Sequence, residues 1–139
     1  MTESRPEFII EGRFEIDPSG ETVTLLGSRC TSCGALQHPR RERCFSCFDS
    51  ALQDCSLGSE ATVWSRSVER LGLVVGKPFG VCWAEVAEGV MVQAILDGDV
   101  DDLPGIGERV VAVPFTLPES EIGGPYTTFA FRSKTEGGT

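Results

Sequence analysis

Four of the six cysteines in this 139-residue chain fall in two knuckles, Cys30-Thr-Ser-Cys33 and Cys44-Phe-Ser-Cys47, separated by ten residues. This C-x2-C-x10-C-x2-C spacing is what tetrahedral thiolate coordination needs. Two residues between ligands let one tight turn aim both sulfurs at a metal about 2.3 Å away. Gly34, directly after the first pair, suits a backbone that must turn with positive φ. Zinc is the common occupant of such a closed four-thiolate site, and its role there is structural because no coordination position stays open. The same ligands would also hold iron for electron transfer. A colourless protein carrying one equivalent of zinc separates the two readings.

Little other chemistry is available. The chain has one histidine, His38, in His38-Pro39-Arg40 between the knuckles. Four cysteines already complete the metal, so His38 reads as a structural or surface residue. Any Ser-His-Asp or Cys-His catalysis would have to run through it. Cys82, in Val81-Cys82-Trp83-Ala84, reads as a small buried apolar side chain. Cys55 follows Asp54 with no basic neighbour to lower its pKa. The residues thus offer metal ligands and no complete catalytic site.

Charge separates the same segment from the rest. The net charge is −9, from 12 basic and 21 acidic residues. Residues 1–28 hold two arginines against six acids, and residues 57–139 hold six basic residues against twelve acids. Only residues 29–56 are net positive, through Arg29, Arg40, Arg41 and Arg43 against three acids. Two readings of these arginines stand. They offset the formal −2 of four thiolates around a divalent cation, or they meet an anionic partner surface or the phosphates of a coenzyme. The acidic remainder disfavours binding a phosphate backbone over a large surface.

The elements that must position the knuckles are mainly β. From Leu57 onward glycine and proline punctuate the chain and no helical period is sustained. Short β-rich runs are expected at 61–68, 79–86, 90–96, 110–113 (reaching Phe115) and 127–132. Five such strands suggest a small antiparallel barrel of the OB type. The expected fold is therefore a rubredoxin-like zinc ribbon over 26–56 followed by an OB-type barrel over 57–132. An N-terminal arm or hairpin occupies 1–25, and a disordered tail 133–139. Asp99, Asp101 and Asp102 read as a solvated loop, since the order of ligands in a calcium-binding loop is absent. A barrel this small is marginal alone, so ribbon and barrel are expected to pack together with folding linked to the metal. No stretch approaches the roughly 18 apolar residues of a membrane span, and no secretory signal is visible at the N-terminus. A cytoplasmic location follows as the expectation.

Taken together, Leu26-Gly-Ser-Arg-Cys30-x2-Cys33-Gly34, His38-Pro39-Arg40, Cys44-x2-Cys47 and the barrel cues after them resemble a known family. These are the zinc-ribbon/OB-fold accessory subunits, once catalogued as a domain of unknown function. The resemblance covers roughly residues 22–132. Phe45 stands where proline is usual and Phe48 where glycine would be unremarkable, and neither change removes a ligand. The resemblance implies a small, non-catalytic subunit that forms a hetero-oligomer with a thiolase-fold acyl-CoA enzyme. Its nearest match is to the small subunits of degradative thiolases, such as that of the benzylsuccinate pathway. Alternative partners are an acyl-CoA hydratase or aldolase, and coenzyme A or acyl-CoA would then be held at the complex. A nucleic-acid-binding module is the alternative from another class, since ribbons and OB barrels both do that work.

Overall fold

The computed structural model describes residues 7–8, 13–39, 41–72, 75–87, 89–119 and 123–134. They form ten strands and two sheets: β1 (Glu7–Phe8), β2 (Phe14–Ile16), β3 (Val23–Cys30), β4 (Leu36–Gln37), β5 (Leu52–Gly58), β6 (Glu60–Glu69), β7 (Phe79–Ala87), β8 (Val90–Leu96), β9 (Arg109–Leu117) and β10 (Tyr126–Ser133). None of the described residues is helical, and no helix is long and apolar enough to cross a membrane. Positions 1–6 and 9–12 of the N-terminal arm and tail positions 135–139 lie outside the described residues.

The second half is a closed five-stranded barrel in the order β10-β8-β7-β6-β9, with β9 pairing back to β10. This is the OB arrangement expected from the strand spacing, and all five runs are strands. Its pairings are antiparallel except one, where Ala130 and Phe131 lie parallel to Ile95 and Leu96. Alternation selects the inward residues: Ala61 and Val63 of β6, Cys82 and Ala84 of β7, Val92 of β8, Val110 and Ala112 of β9, and Phe129 and Phe131 of β10 are buried. A barrel of so few strands has a narrow interior. Two phenylalanine rings fill it, packed edge-to-face at 5.7 Å, against alanines on three other strands. Among the described residues no helix plugs the end; instead Leu103, on the loop after β8, packs against the core. Arg66 Nη1 fixes that loop by donating to the carbonyls of Leu103 and Pro104 at 3.1 Å. Gly80 makes the approach possible, since a Cβ there would meet Leu103 Cδ1 at 2.5 Å. In the acidic loop Asp99 Oδ1 accepts from the Asp101 amide, so its carboxylate serves a local turn.

The first half is organised on β3. Its start pairs with β2 as a hairpin, and the turn is fixed by Asp17, whose carboxylate accepts from Ser19 and from the Thr22 amide. Its end lies between β4 and β5. Gly27 allows this three-strand packing, because a Cβ would press on the Gln37 carbonyl oxygen and lie 2.8 Å from Leu57 Cδ1. Phe14, Val23 and Leu25 of the hairpin belong to the same core cluster as the barrel residues. Phe14 meets Phe129 edge-to-face at 5.4 Å. One hydrophobic core therefore serves both halves, and β3 runs from that core directly into Cys30, the first residue of the first knuckle.

Candidate metal centre

The four knuckle cysteines converge. The sulfurs of Cys30, Cys33, Cys44 and Cys47 all lie within 4.8 Å of one another. The Cys30–Cys47 and Cys33–Cys44 separations are both 3.6 Å. A regular tetrahedron with Zn–S bonds of about 2.3 Å has sulfurs about 3.8 Å apart, so the four sit close to coordination geometry. Cys30 and Cys44 are buried while Cys33 and Cys47 face out. Four soft thiolates are a donor set that can hold a zinc ion, and they complete its coordination.

The two knuckles are one motif used twice. Arg29-Cys30-Thr-Ser-Cys33-Gly34 and Arg43-Cys44-Phe-Ser-Cys47-Phe48 stand fourteen residues apart and differ at two positions. The geometry repeats with the sequence. The Gly34 amide donates to the Cys30 carbonyl at 2.8 Å, and the Phe48 amide to the Cys44 carbonyl at 2.9 Å. Each closing residue is left-handed, Gly34 at φ 82° and Phe48 at φ 63°. Each leading arginine braces its own turn: Arg29 Nη1 donates to the Gly34 carbonyl at 3.4 Å, and Arg43 Nη1 to the Phe48 carbonyl at 3.2 Å. In the second knuckle the amides of Cys47 and Ser46 point at Cys44 Sγ, at 3.5 and 3.3 Å. These N–H groups favour the thiolate and hold the Cys44 pKa down to about 7. Ser32 Oγ donates to Asp49 Oδ2 at 2.6 Å, tying one knuckle to the flank of the other.

Two polar residues that sequence reasoning missed complete the centre. Gln37 is buried at the end of β4. Its Oε1 accepts from the Phe45 amide at 3.0 Å, and its Nε2 donates to the Arg43 carbonyl at 3.3 Å. One amide side chain thus holds the second knuckle against the sheet that carries the first. Ser28, also buried, accepts from the Arg41 amide at 3.4 Å through Oγ. Nothing in a lone Gln or Ser marks such a role; only the folding of 38–44 back over β3 and β4 creates it.

Of the arginines singled out from the sequence, Arg29 and Arg43 are braces whose side chains stay exposed. Arg41 is exposed too and lines a cleft between ribbon and barrel with Leu36, His38, Phe45 and Met91. Arg40 lies outside the described residues. His38 is held away from the sulfurs' chemistry. Its Nε2 donates to the Arg13 carbonyl at 3.3 Å. Burial, aided by the charge of Arg13, pushes its pKa down to about 4, so the ring is neutral at pH 7. Cys82 is enclosed in the barrel, and burial pushes its thiol up to about 12. Neither is placed beside an activating partner among the described residues.

Comparison with known proteins agrees with this geometry. Residues 24–53 match the family described as ChsH2, rubredoxin-like zinc ribbon domain. The chain is 25% identical over 136 residues to the benzoylsuccinyl-CoA thiolase subunit BbsA of Thauera aromatica, covering 94% of this chain and 92% of that one. It is also similar to a chain of the solved Ltp2-ChsH2(DUF35) aldolase, with a TM-score of 0.61 and 25% identity over 79% of this chain and 84% of that one. The part of the chain that matches the ChsH2 rubredoxin-like zinc ribbon family is thus the ribbon that carries Cys30, Cys33, Cys44 and Cys47.

Proposed function

We propose that this chain is a non-catalytic, zinc-binding accessory subunit of a thiolase-type acyl-CoA enzyme, with structural zinc in its ribbon, and is needed for assembly and activity of its catalytic partner. The observation that carries this reading is similarity to a thiolase subunit over nearly the whole length of both chains. The site supports it physically. Thiolysis needs an activated cysteine, a base and an oxyanion hole. The single histidine here is neutral and bonded to backbone, and the four clustered cysteines are fit to hold metal. The catalytic groups must then come from a partner, and the complex works in the cytoplasm, where thiols stay reduced. Arg41, Arg40 and the outer faces of Arg29 and Arg43 are the groups available to an anionic partner surface or to coenzyme A phosphates.

A second reading, an aldolase partner, is favoured by the likeness to the Ltp2-ChsH2(DUF35) aldolase chain. Co-expression with the neighbouring native genes, purification through a tag on this chain and mass spectrometry of the complex test both. Recovery of a thiolase-fold chain is expected; recovery of none sinks the proposal. Cleavage of a β-ketoacyl-CoA that needs free coenzyme A supports thiolysis, whereas cleavage of a β-hydroxyacyl-CoA that proceeds without it supports retro-aldol chemistry. Binding of single-stranded nucleic acid at low salt would instead revive the nucleic-acid reading, which the −6 charge of residues 57–139 opposes.

A further inference from the structure

The two knuckles share arginine, serine and both cysteines, and they differ only where Thr31 and Gly34 in the first become Phe45 and Phe48 in the second. Both phenylalanines are exposed, Phe45 by 60% and Phe48 by 71%. Neither ring therefore contributes much to the core. Phe48 also sits at φ 63°, where the first knuckle has glycine. A non-glycine residue there is strained, because its Cβ crowds the following carbonyl oxygen. Folding alone thus disfavours Phe48 twice, through its backbone and through its exposed ring. A strained, exposed aromatic with no role inside the molecule points to contact outside it.

Its surroundings indicate what that contact is. Over residues 29–47, four arginines against one glutamate make +3, leaving −12 for the remainder of the chain. Four thiolates with a divalent cation bring the ribbon to about +1, still opposite in sign to the rest. Phe45 flanks the cleft of about 240 Å3 that Leu36, His38, Arg41 and Met91 complete. That volume is below the roughly 300–1,000 Å3 of small-molecule sites, and it suits one or two inserted side chains. Aromatic and arginine residues are the usual anchors of protein interfaces.

We propose that Phe45 and Phe48 are the paired anchor through which the second zinc knuckle docks on the catalytic partner, into an apolar recess with an acidic rim. The inference rests on the accessory-subunit reading above. The first knuckle supplies the test. Phe45→Thr with Phe48→Gly rewrites the second knuckle as a copy of the first, so zinc binding and folding are expected to be kept. Binding to the co-expressed thiolase-type chain, measured by titration calorimetry on the purified full-length proteins, is expected to weaken at least about a hundredfold. Raising the salt concentration is expected to weaken wild-type binding further. Trp83→Ser, an exposed tryptophan on the outer barrel face, is expected to bind within threefold of wild type. Affinity of the double variant within threefold of wild type, or a large loss with Trp83→Ser, overturns the anchor while leaving the accessory role standing. Wild-type dimers that the double variant dissociates would make the occupant a second copy and overturn it equally. If no thiolase-type chain binds wild type, both readings fall together.

Discussion

Removing the metal should open one segment and leave the rest folded. Among the described residues of 29–51, the only buried apolar side chains are Cys30 and Cys44. Without zinc, the described residues of 31–50 are tied to the rest by the short β4 pairing with β3 and by a few hydrogen bonds, those of Thr31, His38 and Arg41 among them, and to one another by those of Ser32 and Gln37. Each contributes about 1 kcal/mol net, against roughly 1–2 kcal/mol of backbone entropy per ordered residue. Entropy wins, and the apo segment opens with a free energy near zero. With zinc, opening must release a metal bound by about 10–16 kcal/mol, comparable to the 5–15 kcal/mol of a whole domain, so the holo ribbon is expected to open about as rarely as the entire molecule unfolds. The hairpin behaves differently, because Phe14, Val23 and Leu25 are anchored in the barrel core; burying each is worth about 1.5–3 kcal/mol. Trypsin reads the difference directly, since Arg40, Arg41 and Arg43 lie within the segment. Cleavage follows the open population, so a gap of at least about 4 kcal/mol means a rate at least about a thousandfold higher. Cys44→Ala, or chelator-treated wild type, should be cut at 40–43 first while the barrel stays intact by mass spectrometry. A rate within tenfold of zinc-loaded wild type would refute the reasoning, as would equally fast first cuts at Arg66, Arg70 or Arg109.

Gln37→Leu removes the bonds to the Phe45 amide and Arg43 carbonyl, at about 1 kcal/mol net apiece; zinc affinity should fall about thirtyfold in competition with a chelator, and unchanged affinity would remove Gln37 from the centre. Gly27→Ala drives a Cβ against Gln37 and Leu57, so β4 and β5 must part; a loss of about 2 kcal/mol, seen as a drop of several degrees in melting temperature, is expected, and an unshifted melting point would contradict the packing. His38 has its folded pKa pushed down to about 4 from 6.5, so between those values the unfolded chain binds more protons and stability falls as pH drops through that window. The full shift sets a ceiling of about 3 kcal/mol, which partial exposure reduces to about 1–2 kcal/mol. His38→Gln, facing the same Arg13 and Arg41, should lose correspondingly less stability between pH 7.5 and 5; equal losses in both proteins would assign the acid sensitivity to the thiolates alone.

How legible the molecule was differs from element to element. The barrel strands were readable because alternation survives along them: Ala61 and Val63, or Cys82 and Ala84, face inward with polar or exposed neighbours between. β5 was not, since Gln53, Asp54 and Ser56 are exposed and no apolar period marks it; its backbone pairing with β3 makes it a strand. β3 continues past the apolar Val23–Leu26 through Gly27, Ser28 and Arg29 for the same reason, flanked on both sides by hydrogen-bonded neighbours. Pairing partners distant in sequence decide such strands, and a local pattern carries no trace of them.

The metal site divides in the same way. Cys30, Cys33, Cys44 and Cys47 were determined by spacing alone, because a two-residue gap dictates the turn that brings each pair of sulfurs together. Their surroundings were decided by tertiary structure. Arg29 and Arg43, read from the sequence as offsetting the thiolates or meeting an anionic partner, also brace backbone carbonyls, and Gln37 ties the second knuckle to β4. His38 became a neutral ring capped on Arg13. Each of these depends on residues five to twenty-five positions apart meeting in space. Ligand chemistry is local and legible in a linear sequence; burial, register and the choice of hydrogen-bond partner are properties of the folded chain, fixed only when the shared core draws β2 and β3 onto the barrel.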